Sequence, residues 1–560
     1  MKNRPNYKIY KRIKYLFPIE YKKNLLPKFL ESFFKILDKK TKKDYSRISG
    51  KYGKEVYGEL IKKYSVLPTK CGDPIKKCNE IVNDLFSGLP RWRSQNLQYN
   101  VGAAVNTAAS AVYALALDEN IYNINDGLAG NALVAEQAVT KILSNLANIK
   151  TKSQGLFTFG GTATNFYAIK VGIKKAAVYS GKRGMPKNIK ILVTQDAHFS
   201  HTVSADWLGI GTDNVVVIKA NPDRTSNLKD AEKKIKQILR RGYLLSTIII
   251  NGGTTYNHTI DDIKSFVKLR DRMAKKFSLS YKPHLHVDTV IGWAWLMFKN
   301  YDFKKNNLKL DKEILTKIKK QYYKLKYLKY ADSWSADFHK GVGACPIPCS
   351  IIIFNNMADL NFLSKKEGSF IDMHQLAPEF SFTSPADFTL ETSRPGGAPL
   401  AALASLHTLG IDGYRRNLAN LVRLSLLTKK MLDSYNDVIV YNKNSLGYVT
   451  MFGFCPPGFK KIKSNYLIFL ENNKKVKEMI KIINKYTKDF FTWDYKNRIS
   501  QNRGVEYSFT SEYIKLSNDL KISAAKLYPV SPHIDEFDIE KAVKTIIEQK
   551  RKFDNEVWRN

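Results

Sequence analysis

Acidic residues are scarce in this chain: 51 Asp and Glu stand against 91 Lys and Arg, for a formal charge of +40. An excess of that size brings anionic partners forward first. Yet the basic residues are mostly Lys spread along the whole chain, and no RNP, zinc-finger or helix-turn-helix signature accompanies them. The expectation is nonspecific, salt-sensitive sticking and no specific nucleic-acid partner. Cysteine is scarce too: Cys71, Cys78, Cys345, Cys349 and Cys455 form neither a secreted disulfide framework nor the CxxC-and-histidine spacing of a zinc site. That leaves structural thiols, no metal, and a reducing cytoplasm as the expected compartment. Long apolar runs are missing as well. The most apolar stretch, Ala103 to Leu117, is short, rich in Ala and broken by Asn106, so neither a signal peptide nor a membrane partner is expected.

With 560 residues, 44% of them hydrophobic, the chain is long enough for a large domain and a smaller companion. Residues 1–95 carry Lys-rich amphipathic patterns, such as Leu25 to Leu37, interrupted by Pro18, Pro27, Pro68 and Pro90; they read as an N-terminal helical accessory segment. Residues 96–400 read as the large domain. It opens with small-residue helical patterns from Ala103 to Leu146, suited to tight packing and to a subunit interface. Seven β-rich runs then alternate with helical stretches: 155–161, 189–195, 214–220, 246–252, 284–290, 332–337 and 350–354. That alternation predicts an α/β fold with a mostly parallel seven-stranded sheet covered on both faces, which binds ligands beyond the carboxyl ends of its strands. Residues 401–560 read as a small C-terminal α/β domain, entered through a helix from Pro399 to about Leu432. The Lys-rich stretch from Lys304 to Tyr330 reads as a solvated helix pair or insertion.

Residues at strand ends are therefore the site candidates. Gly160-Gly161-Thr162 closes the first run and opens a helix, so backbone amides and a hydroxyl can meet a phosphate there. The same triplet is also an ordinary strand-to-helix turn with a capping Thr. His198 follows the second run and is placed to stack on a planar ring. The fifth run, Pro283-His284-Leu285-His286-Val287-Asp288, drives a carboxylate to the sheet edge, where burial demands a cation or strong donor. The sixth ends in Asp337-Phe338-His339-Lys340, and a desolvated Lys340 beside an anion site is expected to have a lowered pKa suited to Schiff-base chemistry. Taken singly, each is a cap, a core histidine or a surface lysine. Together, and in that chain order, they describe a shared cofactor site.

The chain resembles the group II pyridoxal-5′-phosphate-dependent decarboxylases, the family of glutamate, aromatic amino acid and diaminobutyrate decarboxylases. The resemblance covers about residues 90–420 and rests on Gly160-Gly161-Thr162, Asp196-Ala197-His198-Phe199-Ser200, Gly253-Thr254-Thr255, His286-Val287-Asp288, and Asp332-Ser333 leading to His339-Lys340. It implies fold type I, a homodimer with active sites near the interface, and decarboxylation of an L-amino acid to an amine through a Lys340 Schiff base. It further implies Asp288 as partner of the pyridine nitrogen and His198 stacked on the ring. Gly160, Gly161, Thr162 and Asp337 would lie around the phosphate, Thr255 near the ring and His339 beside the lysine. Departures are Thr289-Val290 after the aspartate, Phe338 before the His-Lys pair, Gly341 after it, and the longer Asp288–Lys340 interval. The family's closing loop should fall near Gly368 to Asp387. It holds Phe380, Phe382 and His374 but no Tyr, which makes His374 the candidate proton donor. Arg394 is a candidate carboxylate or phosphate contact, with an exposed, salt-bridged arginine as the equal alternative. Aldehyde formation, another pyridoxal-phosphate reaction, and a basic binding protein on the same fold stay open as alternatives, and the substrate is not legible.

Overall fold

The computed structural model describes residues 13–70, 72–364, 384–459, 474–502, 504–516 and 520–558. Each of the seven predicted runs forms a strand: β1 (Gln154–Thr158), β2 (Ile189–Thr194), β3 (Val215–Ile218), β4 (Leu244–Asn251), β5 (His284–Asp288), β6 (Ser333–Asp337) and β7 (Ser350–Phe354). They join in one sheet of order β1-β7-β6-β5-β4-β2-β3, parallel throughout except that β7 runs against both β1 and β6. The β-branched runs explain the arrangement. Segments such as Leu244–Asn251, with a continuous Ile-Ile-Ile core, are buried on both faces, as a helix-covered sheet requires. The first strand is shorter than the apolar run suggests. It stops at Thr158, because Gly160 turns away with a φ of 134° that side-chain-bearing residues rarely adopt.

The main helices, in chain order, are α1 (Leu26–Lys39), α2 (Lys54–Tyr64), α3 (Pro74–Leu85), α4 (Thr107–Asp118), α5 (Val134–Leu146), α6 (Gly161–Ala176), α7 (Ser200–Trp207), α8 (Leu228–Arg240), α9 (Ile263–Lys276), α10 (Lys312–Leu325), α11 (Gly397–Asp433), α12 (Lys474–Gln501) and α13 (Glu536–Phe553). α6 matters most for the site. It starts at the end of β1 and crosses β4, β5, β6 and β7, so its buried face (Ala163, Thr164, Asn165, Ala168) lies over the strands that carry the candidate residues. α11 is long and bent, with Gly410 at φ 59° marking the kink.

Beyond the large sheet, β8 (Val438–Val440), β9 (Thr450–Phe454), β10 (Ser508–Lys515) and β11 (Lys521–Leu527) form an antiparallel sheet of order β10-β11-β9-β8. Its apolar face is buried with α12 and α13, through Phe452, Phe454, Phe490 and Ile546. The chain's early and late regions are tied together. Arg47 grips Glu506 with two hydrogen bonds, 2.9 and 3.1 Å, and both side chains are buried. No helix among the described residues is long and apolar enough to cross a membrane.

Candidate active site

Because the strands are parallel, the ends of β1, β2, β5 and β6 meet at one edge, where they surround a cavity of about 260 Å³. Gly160, Gly161, Thr162, His198, Asp288, His339 and Lys340 all line it. These residues are spread over 181 positions of sequence and are brought together only by the sheet.

The anion seat is the start of α6. The first amides of a helix have no intrahelical acceptor, and the helix dipole adds positive potential there. A Cβ on Gly161 would come within 2.7 Å of Asp337 Oδ2 and 3.0 Å of Val290 Cγ1, so glycine keeps this cradle open. Asp337 is fully buried on the floor of the cradle.

Asp288 is held from several sides. Asn165 Nδ2 donates to its Oδ2 at 3.0 Å, the Val290 amide reaches Oδ1 at 3.3 Å, and His201 Nε2 stands 3.3 Å from Oδ2. Burial alone would raise the Asp288 carboxyl's pKa. His201 first, then His286 and Asn165, overcome that and hold it below the usual carboxylate range. The group is thus an anion that keeps a face on the cavity, ready for a cationic partner. His198 lies beside it, its Nδ1 fixed by Ser200 Oγ at 2.9 Å and by the Ser200 amide at 3.2 Å. Burial, reinforced by the charges of Lys340 and His201, pushes His198 down to about 4, so it is a neutral ring at physiological pH.

Lys340 sits across the cavity with its Nζ 2.7 Å from Asp337 Oδ2. Here the structure corrects the sequence expectation of a lowered lysine pKa. Burial does act in that direction, but the carboxylates of Asp337 and, further off, Asp288 outweigh it and raise the value. His339 turns toward the neighbouring strand, its Nδ1 3.2 Å from the Cys349 carbonyl, with Nε2 3.7 Å from Asp337.

Two other expectations fare differently. Thr255 is half-buried on the loop after β4 and does not line the cavity; its carbonyl accepts a hydrogen bond from the Tyr528 hydroxyl at 3.1 Å. Arg394 is no ligand contact: it is buried, paired with Glu136 at 2.9 Å, and donates to the carbonyls of Asn123 and Phe157. Losing one side of such a buried pair costs about 3–5 kcal/mol, which marks Arg394 as a structural residue. His374 lies outside the described residues. Sequence reasoning missed Asn165, Ser200 and His201. Ser200 closes the quoted Asp196 to Ser200 motif and Asn165 lies three residues past Thr162, and a carboxylate expected to be buried was itself a signal to look for such donors.

These residues fit pyridoxal 5′-phosphate. The glycine cradle and free helix amides suit a phosphate, the compensated Asp288 anion suits a protonated ring nitrogen, neutral His198 suits a ring face, and a primary amine stands within the same cavity.

Comparison with known proteins agrees. Residues 85–452, well over half of the chain, match the model of the pyridoxal-dependent decarboxylase conserved domain. The L-aspartate/L-glutamate decarboxylase of Pyrococcus horikoshii is 25% identical over 396 residues, covering 70% of this chain and 88% of that one. The L-aspartate decarboxylase of Thermococcus kodakarensis is 29% identical over 297 residues, 52% of this chain and 63% of its own. Among solved structures, Oryza sativa TDC with PLP and tryptamine superposes with a TM-score of 0.76 at 12% identity, over 96% of this chain and 99% of that one. Mouse CSAD in apo form gives 0.73 at 16% identity, over 94% and 99%. The structural likenesses speak for the fold, and the fold is that of type I decarboxylases.

Proposed function

As the chain belongs to the pyridoxal-dependent decarboxylase family, we propose that Lys340 is the amine that binds its cofactor, Asp288 the partner of the ring nitrogen and His198 the ring-stacking side chain. Its reaction is pyridoxal-5′-phosphate-dependent decarboxylation of an amino acid. The observation that carries the residue assignment is the convergence of Gly161, His198, Asp288 and Lys340 on one cavity.

When bound, the cofactor supplies a carbonyl for an amine and a ring that accepts the electrons of the bond to the departing carboxylate. The protein's part is positional and electrostatic. Gly160, Gly161 and Thr162 present donors to a phosphate, and Asp288 holds a proton on an adjacent nitrogen because its own carboxyl stays ionised. Asn165 and His201 keep that carboxylate in place, and neutral His198 adds a flat surface without a competing charge. Asp337 holds the Lys340 ammonium until the cofactor arrives, and Lys340 must give up a proton to act as a nucleophile.

The homodimer expected of this site is supported by an apolar rim. Phe159 and Ile347 line the cavity yet are 55% and 73% exposed, and Phe199 and Trp207 on the neighbouring segment are 71% and 81% exposed. A second copy of the chain covering this rim would close the site, and light scattering should give twice the chain mass. Cys78, Cys345 and Cys349, thiols outside any disulfide among the described residues, suit a cytoplasmic setting.

Profiling of the purified holoenzyme against aspartate, glutamate, 2,4-diaminobutyrate, tyrosine and tryptophan, with paired CO2, amine and aldehyde detection, tests the reading. CO2 with an equal yield of amine is expected from one of them. Aldehyde as the main product moves the chain to the aldehyde-forming chemistry; with amine as the parent's product, a shift toward aldehyde in His374→Ala assigns that histidine the proton that favours amine.

A further inference from the structure

The Lys-rich stretch read from sequence as solvated surface builds one wall of a second cavity. α10 brings Lys320 and Lys324 to it, the loop after β3 brings Arg224, the loop after β8 brings Lys443, and β10 brings Tyr513, enclosing about 430 Å³. That is ample room for a small molecule.

Charge at this cavity is one-sided. Arg224 is committed to Asp196, with Nε 2.8 Å from Oδ2, and Lys443 is paired with Asp433. Asp223, the only carboxylate among the described lining residues, is turned into its own loop by the Thr225 amide and hydroxyl at 3.0 and 2.6 Å. Lys324 donates to the Ile260 carbonyl at 2.9 Å, and Lys320 has no ion-pair partner among the described residues. Behind the wall, Lys317 and Lys429 direct their ammoniums at one carbonyl, that of Ser445, at 3.5 and 3.4 Å. Glu313, largely exposed, stands 3.8 Å from Lys317. Lys429 is 3% exposed, and among the described residues no carboxylate lies within ion-pair distance of it. A buried ammonium facing a single carbonyl is poorly compensated, and burial pushes Lys429 down to about 7.

An anion in the cavity supplies the missing charge. The geometry also favours one class of anion. Bidentate capture of a carboxylate needs a free guanidinium fork, and Arg224, the one arginine among the described lining residues, is already paired with Asp196. Lysine ammoniums, compact and able to donate in several directions, suit a phosphoryl group. We propose that this cavity binds a small phosphorylated anion, at a site separate from the cofactor seat.

The cavity also shares a loop with the active site. Gln321 Nε2 donates to the His258 carbonyl at 2.7 Å and Asn442 Nδ2 to the Tyr256 carbonyl at 3.2 Å, both on the loop after β4. At the loop's other end, the Gly252 amide donates to the Asp288 carbonyl at 2.8 Å. Occupancy therefore bears on the segment that adjoins the catalytic edge.

Isothermal titration of cofactor-saturated holoenzyme with tripolyphosphate, at ionic strength held constant with KCl, tests the site. One saturable site per chain is expected, weakened tenfold or more in the Lys320→Gln/Lys324→Gln double variant. A double variant with the same charge change on exposed positions of α13, Lys541→Gln/Lys544→Gln, should bind as the parent does, and melting curves establish that both are folded. If the first double unfolds, Lys320→Gln alone is used, because that side chain is exposed. Binding that never saturates, no binding, or equal weakening in both doubles overturns the proposal, since each would make the interaction a property of the overall charge.

Discussion

The two cavities handle charge in opposite ways. At the sheet edge every ionised side chain has a counterpart within the chain: Lys340 meets Asp337 at 2.7 Å, and Asp288 meets Asn165 and His201 at 3.0 and 3.3 Å. Beneath α10 the ammoniums of Lys429 and Lys317 converge on one carbonyl. A site that must perform chemistry is organised before its ligand arrives, since reorganising charge during the reaction adds to the barrier. A site that only binds can leave charge open for the ligand to complete. The contrast is testable from both sides.

The largest effect is expected from Lys340→Ala, which should abolish reductive attachment of the cofactor and bring turnover to background in a folded protein whose melting temperature is lowered, because buried Asp337 loses its cation. Peptide mapping after borohydride that marks another lysine would break the assignment. Next comes Asp288→Asn. An amide cannot hold the ring nitrogen protonated, and loss of a buried charge-assisted contact of about 3 kcal/mol lowers kcat on the order of a hundredfold. Near-parent kcat would make Asp288 a purely structural carboxylate.

A smaller change, roughly tenfold in kcat, is expected of His201→Phe. His201 is first among the groups that lower Asp288, so its removal lets the carboxyl's pKa rise. The stability that ionised Asp288 contributes is present above the unfolded carboxyl value and lost as pH falls through the folded one. Raising the folded value shrinks that contribution and moves the acid limb of the activity profile to higher pH. An unmoved limb would assign Asp288's low pKa to His286 and Asn165 instead.

The smallest effect belongs to the other cavity. Lys429 has a folded pKa of about 7 against 10.5 for an ordinary lysine, so the unfolded chain binds more protons between those values. Parent stability should rise with pH across that window. Lys429→Met should raise the melting temperature at pH 7 by roughly a few degrees, with the advantage fading toward pH 10. A destabilised Met variant would show that the ammonium is better compensated than its single carbonyl contact indicates.

Much of the first cavity was legible in the sequence because its residues sit where apolar strand runs stop. Gly160-Gly161-Thr162, His198, Asp288 and Lys340 each follow such a run, and parallel strands must deliver their ends to one edge. The supports were harder to see. His201 reaches Asp288 from α7, across a fold-dependent contact that no local pattern encodes, and Arg394 is buried by Glu136, 258 residues earlier. Lys340's raised pKa depended on which carboxylate stood closest, a matter of distance and not of residue type. The second cavity was invisible for a related reason. An amphipathic Lys-rich helix looks the same in sequence whether it faces water or closes a pocket against another part of the chain.

The Arg47–Glu506 grip bears on how the protein is made. Its partners are 459 residues apart, so on a ribosome adding roughly 5–20 residues per second Arg47 waits on the order of half a minute to a minute and a half before Glu506 exists. The Lys-rich opening segment, with its apolar helix faces, spends that interval without its final docking surface. Assembly of this region is therefore a late, post-synthetic event, and it is the stage at which a nascent chain is most in need of chaperone cover.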